Sequence, residues 1–434
     1  MHAVDWLLGW VVDHWVHLVS VPVFTGVIGW LINWSGLIML FAPVRFHGVT
    51  VPGMRQLAHA LPRKVQEIPG VMQGGIGWQG IIPARAAKMG SIAVDKAIAK
   101  LGTPSEFYHQ LEPAKIAEHI VEVFSPEVPE LVDRVMRAEH PRLWHDLPPG
   151  VRTAIVARVQ LSLPSVVGRV TDEIGEHIDE LLDPKLMVIE HFRANPALVV
   201  RIFRDFGQRE LNLMVAFGFI FGFLLGIPVG VIDVVVGTWW LLPLLGVVVG
   251  WVTNLLGMWL IFSPPEPRRV LGITVQGLFP RRQSEAADVY AGIIADDVIT
   301  LEHIGDFLLD GPHGDKTRTM LAAALRPAID HAAGPVRGAV RVALGPDRFD
   351  TIRESAAQEA VVRTITPFKD HGFSRRQAAK IREMVARRTR ELAPSDFVDM
   401  MRSAIKEDEW LLYLHGAIMG LAGGFLHVAI FTGF

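Results

Sequence analysis

Long apolar runs alternate with evenly mixed charged stretches along this chain of 434 residues. Residues 16–42, 213–232, 239–262 and 411–431 carry almost no charge. Each is long enough for the ~20 helical residues that cross a bilayer. In the blocks between, residues 43–212 and 263–410, apolar positions recur at helical spacing, most clearly over 113–124, 151–183, 184–206, 284–309 and 374–392. Prolines at 104, 113, 126, 164, 184, 312, 327, 346, 367 and 394 punctuate the pieces, and strand signal is slight. Residues 1–15 hold Trp6, Trp10 and Trp15 among short apolar stretches, the pattern of an interfacial helix at headgroup depth. The pattern predicts an all-α integral membrane protein, with four transmembrane helices and one helical bundle from each polar block.

Charge sharpens this division. The chain has 42 basic and 45 acidic residues, and all but three acids lie in the two blocks; Asp5, Asp13 and Asp233 are the exceptions. Residues 43–212 hold 20 of each sign and residues 263–410 hold 22 of each, so both blocks are neutral. That balance argues against a nucleic-acid partner. The cysteine count of zero excludes disulfides, thiolate nucleophiles and cysteine-ligated metals. Basic residues close to the spans (Arg45, Arg201, Arg204, Arg209, Arg268, Arg269, Arg402 and Lys406) all fall on the block side. The positive-inside rule therefore puts both blocks in the cytoplasm, with the termini and the Asp233 turn outside. No Lys or Arg precedes the first run, which disfavours a cleaved signal peptide.

A shift of 221 positions lays Pro22–Pro43 on Pro243–Pro264 without a gap. Pro22/Pro243, Gly29/Gly250, Trp30/Trp251, Asn33/Asn254, Gly36/Gly257, Phe41/Phe262 and Pro43/Pro264 are then identical. Downstream, Trp78–Arg85 (WQGIIPAR) matches Val275–Arg282 (VQGLFPRR), and Gly218, Gly222 and Gly226 match Gly416, Gly420 and Gly424. Each half reads as span, polar block, span. Two crossings separate the repeats, so the expected duplication is parallel, about an axis along the membrane normal. The asparagine- and glycine-bearing span, the Q-G-[IL]-[IF]-P-[AR]-R stretch and the glycine-spaced second span resemble the bacterial membrane family known as domain of unknown function 445. The resemblance covers nearly the whole chain and implies an all-helical protein of the bacterial inner membrane. It carries over no catalytic residue. The first half departs from the pattern by an insert around Met54–Gly77.

Candidate chemistry is sparse. Gly29, Asn33 and Gly36 share one helical face, as do Gly250, Asn254 and Gly257. The two asparagines are expected to meet near the repeat axis and fix register, or else to line a polar path. Gly218, Gly222, Gly226 and Gly230, with Gly416, Gly420 and Gly424, form two glycine ladders for close packing inside the bundle or in a homodimer. His427 is expected to reach the outer interface. The His14/His17 pair has metal-ligand spacing, but no third ligand lies nearby and no metal is assigned. Arg268, Arg269, Arg281 and Arg282 are candidates for lipid-headgroup contact. The basic helix Ser374–Leu392 reads as a solvated face. No nucleotide, zinc-protease or hydrolase motif is present, so neither a catalytic residue nor a cofactor is assigned. The expected function is a non-catalytic scaffold or envelope-maintenance protein, its partners membrane lipids and other proteins. The alternative is a transporter or lipid conduit along the glycine/asparagine interface.

Overall fold

The computed structural model describes residues 2–431 except 55, 57–59, 61, 67, 96–98, 140, 271, 334–345, 364–367 and 369. Four helices in it have the length and hydropathy to cross a membrane. The first, His2–Phe41, is one rod of 40 residues. The expected interfacial segment and first span are thus continuous, and Pro22 lies inside the helix without ending it. The second, Pro196–Val236, has 41 residues, about 60 Å at the helical rise. That is twice the ~30 Å hydrocarbon thickness, and its polar first turns carry Arg201, Arg204 and Arg209. Gly237 closes it in the left-handed conformation (φ 62°), donating its N–H to the Asp233 carbonyl. The third span is Leu241–Phe262 and the fourth Glu409–Phe431. The first packs along the second and the third along the fourth. Val21, Val229, Leu242, Val249 and Val428 form an apolar core shared by all four.

Short two-stranded ribbons, not expected from the apolar pattern, follow the first and third spans. Strands β1 (His47–Thr50) and β2 (Gly75–Trp78) pair antiparallel, with Val49 opposite Ile76. Strands β3 (Arg268–Val270) and β4 (Ile273–Val275) do the same, with Val270 opposite Ile273. Runs of three or four residues are too short for a period-two pattern to stand out.

The polar blocks divide differently from the expected one bundle per block. The chain forms two compact units, and each draws on both halves. One unit comprises residues 1–97, 189–289 and 389–434 and holds all four spans and both ribbons. The other comprises residues 98–188 and 290–388. In the second unit the helix Pro149–Leu181 packs against Gly314–Ala333, around a core of Val170, Leu309, Leu321, Ala322, Ala357 and Val361. Slender stripes of Ala, Val and Leu from each block thus bury one another.

Several expected helices end where local chemistry dictates. Pro113–Phe124 forms as read. The stretch 184–206 splits at Asn195, because Pro196 restricts the residue before it and opens a new helix. The stretch 284–309 breaks near Thr300, whose hydroxyl accepts from the His303 N–H at 3.1 Å and caps Leu301–Asp310. Pro164 and Pro327, read as punctuation, lie inside continuous helices. Pro367 lies outside the described residues.

Candidate functional site

The glycine faces hold the spans at backbone contact. A methyl on Gly29 would overlap the Gly218 carbonyl, and one on Gly250 would overlap that of Gly416. Gly222 and Gly226 press on Thr25 and Pro22, Gly420 on Gly246, and Gly424 on Pro243. Gly230 is looser, with ordinary van der Waals contact to Val21. The ladders therefore face inward within one chain. Gly246 and Gly423 do similar work and were not singled out from sequence; Gly423 meets Ile28. Gly36 and Gly257 differ again. Gly36 faces Leu412 and His415 of the fourth span, while Gly257 faces Met214 of the second.

Asn33 and Asn254 do not bond to one another. Asn33 donates Nδ2 to the Met214 carbonyl at 2.6 Å, and Asn254 donates to the Leu412 carbonyl at 2.5 Å. Both side chains are buried, and each ties the two spans of its own half. Backbone approach at the neighbouring glycines brings the carbonyl within reach of so short an amide. Between the four spans lies a cavity of about 20 Å³, lined by residues including Val21, Thr25, Gly250 and His427. That is room for one water molecule.

The repeated Q-G motif is a hydrogen-bond clamp below each span. Gln79 donates Nε2 to the Val44 carbonyl at 2.8 Å, and Gln276 donates to Pro265 at 2.9 Å. The Gly80 N–H bonds Pro43 O and the Gly277 N–H bonds Pro264 O, both at 2.9 Å. A side chain on Gly80 would collide with the backbone of Phe41 and Ala42, so the close approach requires glycine there. The peptide bonds before Pro43 and Pro264 are both cis.

The motif arginines reach across the halves. Arg85 pairs with Asp408 at 2.7 Å, with both side chains at most 4% exposed. Arg282 pairs with Glu210 at 2.5 Å and also with Glu285. Glu285, then Glu210, raise the Arg282 pKa, and Arg282 holds the Glu285 carboxyl below its usual range. Arg282 is therefore engaged by carboxylates, whereas Arg268, Arg269 and Arg281 are exposed. Nearby, Arg402 grips Glu409 through two hydrogen bonds of 2.7 and 2.9 Å, which raises the Arg402 pKa. Lys88 lowers that of Glu407. Neither acid partner was visible as a pair in the sequence. The signal was there, because Glu210 and Asp408 keep the same 198-residue spacing as Gly218 and Gly416.

His427 is buried among the spans. It lies on the inward face with Gly420 and Gly424, edge-on to Phe24 at 5.1 Å and stacked on Phe431 at 4.6 Å. Its Nε2 is 3.4 Å from Ser20 Oγ. His17 points at Asp233 at 3.7 Å, not at a metal partner shared with His14. In the basic helix, His371–Glu391, Lys380 pairs with Glu112, Arg382 with Asp296, and Arg388 with Glu106. With Arg390, which pairs with Asp288, four of its cations thus serve internal ion pairs. No family model, curated protein or solved structure matches this chain.

Proposed function

We propose that this chain is a duplicated, non-catalytic scaffold of the bacterial inner membrane, within the family it resembles, with both polar blocks on the cytoplasmic side. The spans form a rigid anchor. The helices outside it are offered to the lipid surface and to partner proteins. The observation that carries the reading is the reciprocal pairing of Arg85 with Asp408 and of Arg282 with Glu210. Matching positions of the two halves make matching contacts, and the buried charges are spent on joining the halves. The same recurrence in the asparagine bonds and the Q-G clamps supports a parallel repeat.

Native mass spectrometry of the purified full chain tests this reading. Anionic phospholipid is expected to remain bound, and to be lost when Arg268, Arg269 and Arg281 are changed to Glu. Correctly inserted protein that retains no lipid, or vesicles that gain solute flux on reconstitution, would refute it.

A further inference from the structure

Each ribbon leaves a large apolar side chain bare. Opposed residues in an antiparallel pair share a face, and alternate residues point to opposite faces. In the first ribbon Gly48, Thr50, Gly75 and Gly77 lie on one side, where the Phe46 ring packs closely against Gly48 and Gly75. The other side carries Val49 and Ile76 as direct partners, 73% and 69% exposed. The second ribbon sets Ile273, 69% exposed, opposite Val270. Val49 and Val270 are 221 residues apart and Ile76 and Ile273 are 197 apart, the same shifts that align the spans and the Q-G motifs. Both halves thus set a Val opposite an Ile in the register of a two-stranded ribbon, a structure that is marginal in water by itself.

Position says what covers the bare face. β1 starts six residues after the first span ends at Phe41, and β3 starts six residues after Phe262. The first ribbon is tied to the span end through Gln79, Gly80 and the Trp78 indole, which donates to the Met39 carbonyl at 3.3 Å. Gln276 and Gly277 tie the second. Neither ribbon can leave the level at which its span emerges. Charge agrees, because Arg45, His47, Arg268 and Arg269 are exposed alongside. Glu266 is the one acid within residues 43–53, 75–85 and 264–277.

We infer that the two ribbons are in-plane anchors. Val49, Ile76 and Ile273 insert into the interface of the bilayer that the spans cross, and Arg45, Arg268 and Arg269 contact its anionic headgroups. The inference rests on the membrane-anchored reading above, and its test separates the two. The native chain contains no cysteine, so single cysteines can be labelled cleanly. Val49→Cys, Ile273→Cys, Thr50→Cys, Thr274→Cys and Val27→Cys chains carry an environment-sensitive NBD label in phosphatidylcholine/phosphatidylglycerol vesicles. Labels at 49 and 273 should lose emission to a shallow spin-labelled lipid and resist aqueous iodide. Those at 50 and 274 should do the reverse, and the span label at 27 should be quenched by a mid-chain spin label. Iodide quenching at 49 and 273 equal to that at 50 and 274 overturns the anchors. Shielding from both quenchers also overturns them, since protein then covers the face. If the label at 27 escapes lipid quenching, the membrane reading falls as well.

Discussion

Asp408→Asn removes the charge facing Arg85 while keeping the shape of the side chain. At most 4% of either side chain is exposed, so Arg85 cannot turn to bulk water when its partner is neutralised. Removing one partner of a buried ion pair costs about 3–5 kcal/mol, less what the other contacts of Arg85, the nearby Glu407 carboxylate among them, return. The matching change, Glu210→Gln, acts on a more forgiving site. Arg282 is 25% exposed and keeps Glu285 at 2.5 Å, so the loss is that of one charge-assisted hydrogen bond, about 1.5–3 kcal/mol. Replacing both partners, as Arg85→Met with Asp408→Leu, removes both buried charges together and should recover most of the stability. Unfolding in mixed micelles with a rising fraction of denaturing detergent reads these differences. Tryptophan emission suits the measurement, because Trp30, Trp34, Trp251 and Trp259 all lie in spans. Equal losses at Asp408 and Glu210, or a double variant no better than Asp408→Asn alone, would show that the geometry does not govern the energetics.

Gly250→Leu should force the third and fourth spans apart and destabilise by about 1–3 kcal/mol, whereas Gly36→Ala, with only ordinary contacts around it, should be near neutral. The same detergent titration checks the contrast. Asn254→Val should cost about 1 kcal/mol through loss of the Leu412 carbonyl bond, and infrared spectroscopy of the labelled carbonyl should show it freed. The Glu285 carboxyl is held below its ordinary pKa by Arg282, so its contribution is complete above the unfolded value and lost as pH falls through the folded one. Stability measured from neutral to acidic pH should fall less steeply in Glu285→Gln than in the native chain. Alkaline phosphatase fused after Phe434 should be active and the same enzyme inserted after Val188 inactive; the reverse pattern would invert the proposed orientation.

The spans were legible because hydropathy over twenty residues is a local property of the chain. The glycine ladders were legible because helical spacing alone puts Gly218, Gly222 and Gly226 on one face. What those faces meet was not. Asn33 reaches a carbonyl on another helix, 181 residues away, and nothing near Asn33 marks Met214 as its acceptor. Arg85 and Asp408 lie farther apart still. The Q-G motif stood out as a repeat, but its purpose depends on a turn that returns the chain to the span end. His427 was read from its depth along the helix, when its angular position beside Gly420 and Gly424 decides its burial. The two polar blocks, each neutral and amphipathic, gave no indication of which stripe would cover which.

The crossed ion pairs have the form of a self-complementary dimer contact, in which position i of one subunit meets j of the other and j meets i. Here the subunits are two stretches of one polypeptide, residues 1–237 and 238–434, joined by a short hairpin. Either stretch alone would lack the cross-half contacts Arg85–Asp408 and Arg282–Glu210. Cutting the hairpin therefore leaves two complementary fragments rather than two independent ones. The loop between the second and third spans then supplies proximity, and the crossed contacts supply the match between the stretches.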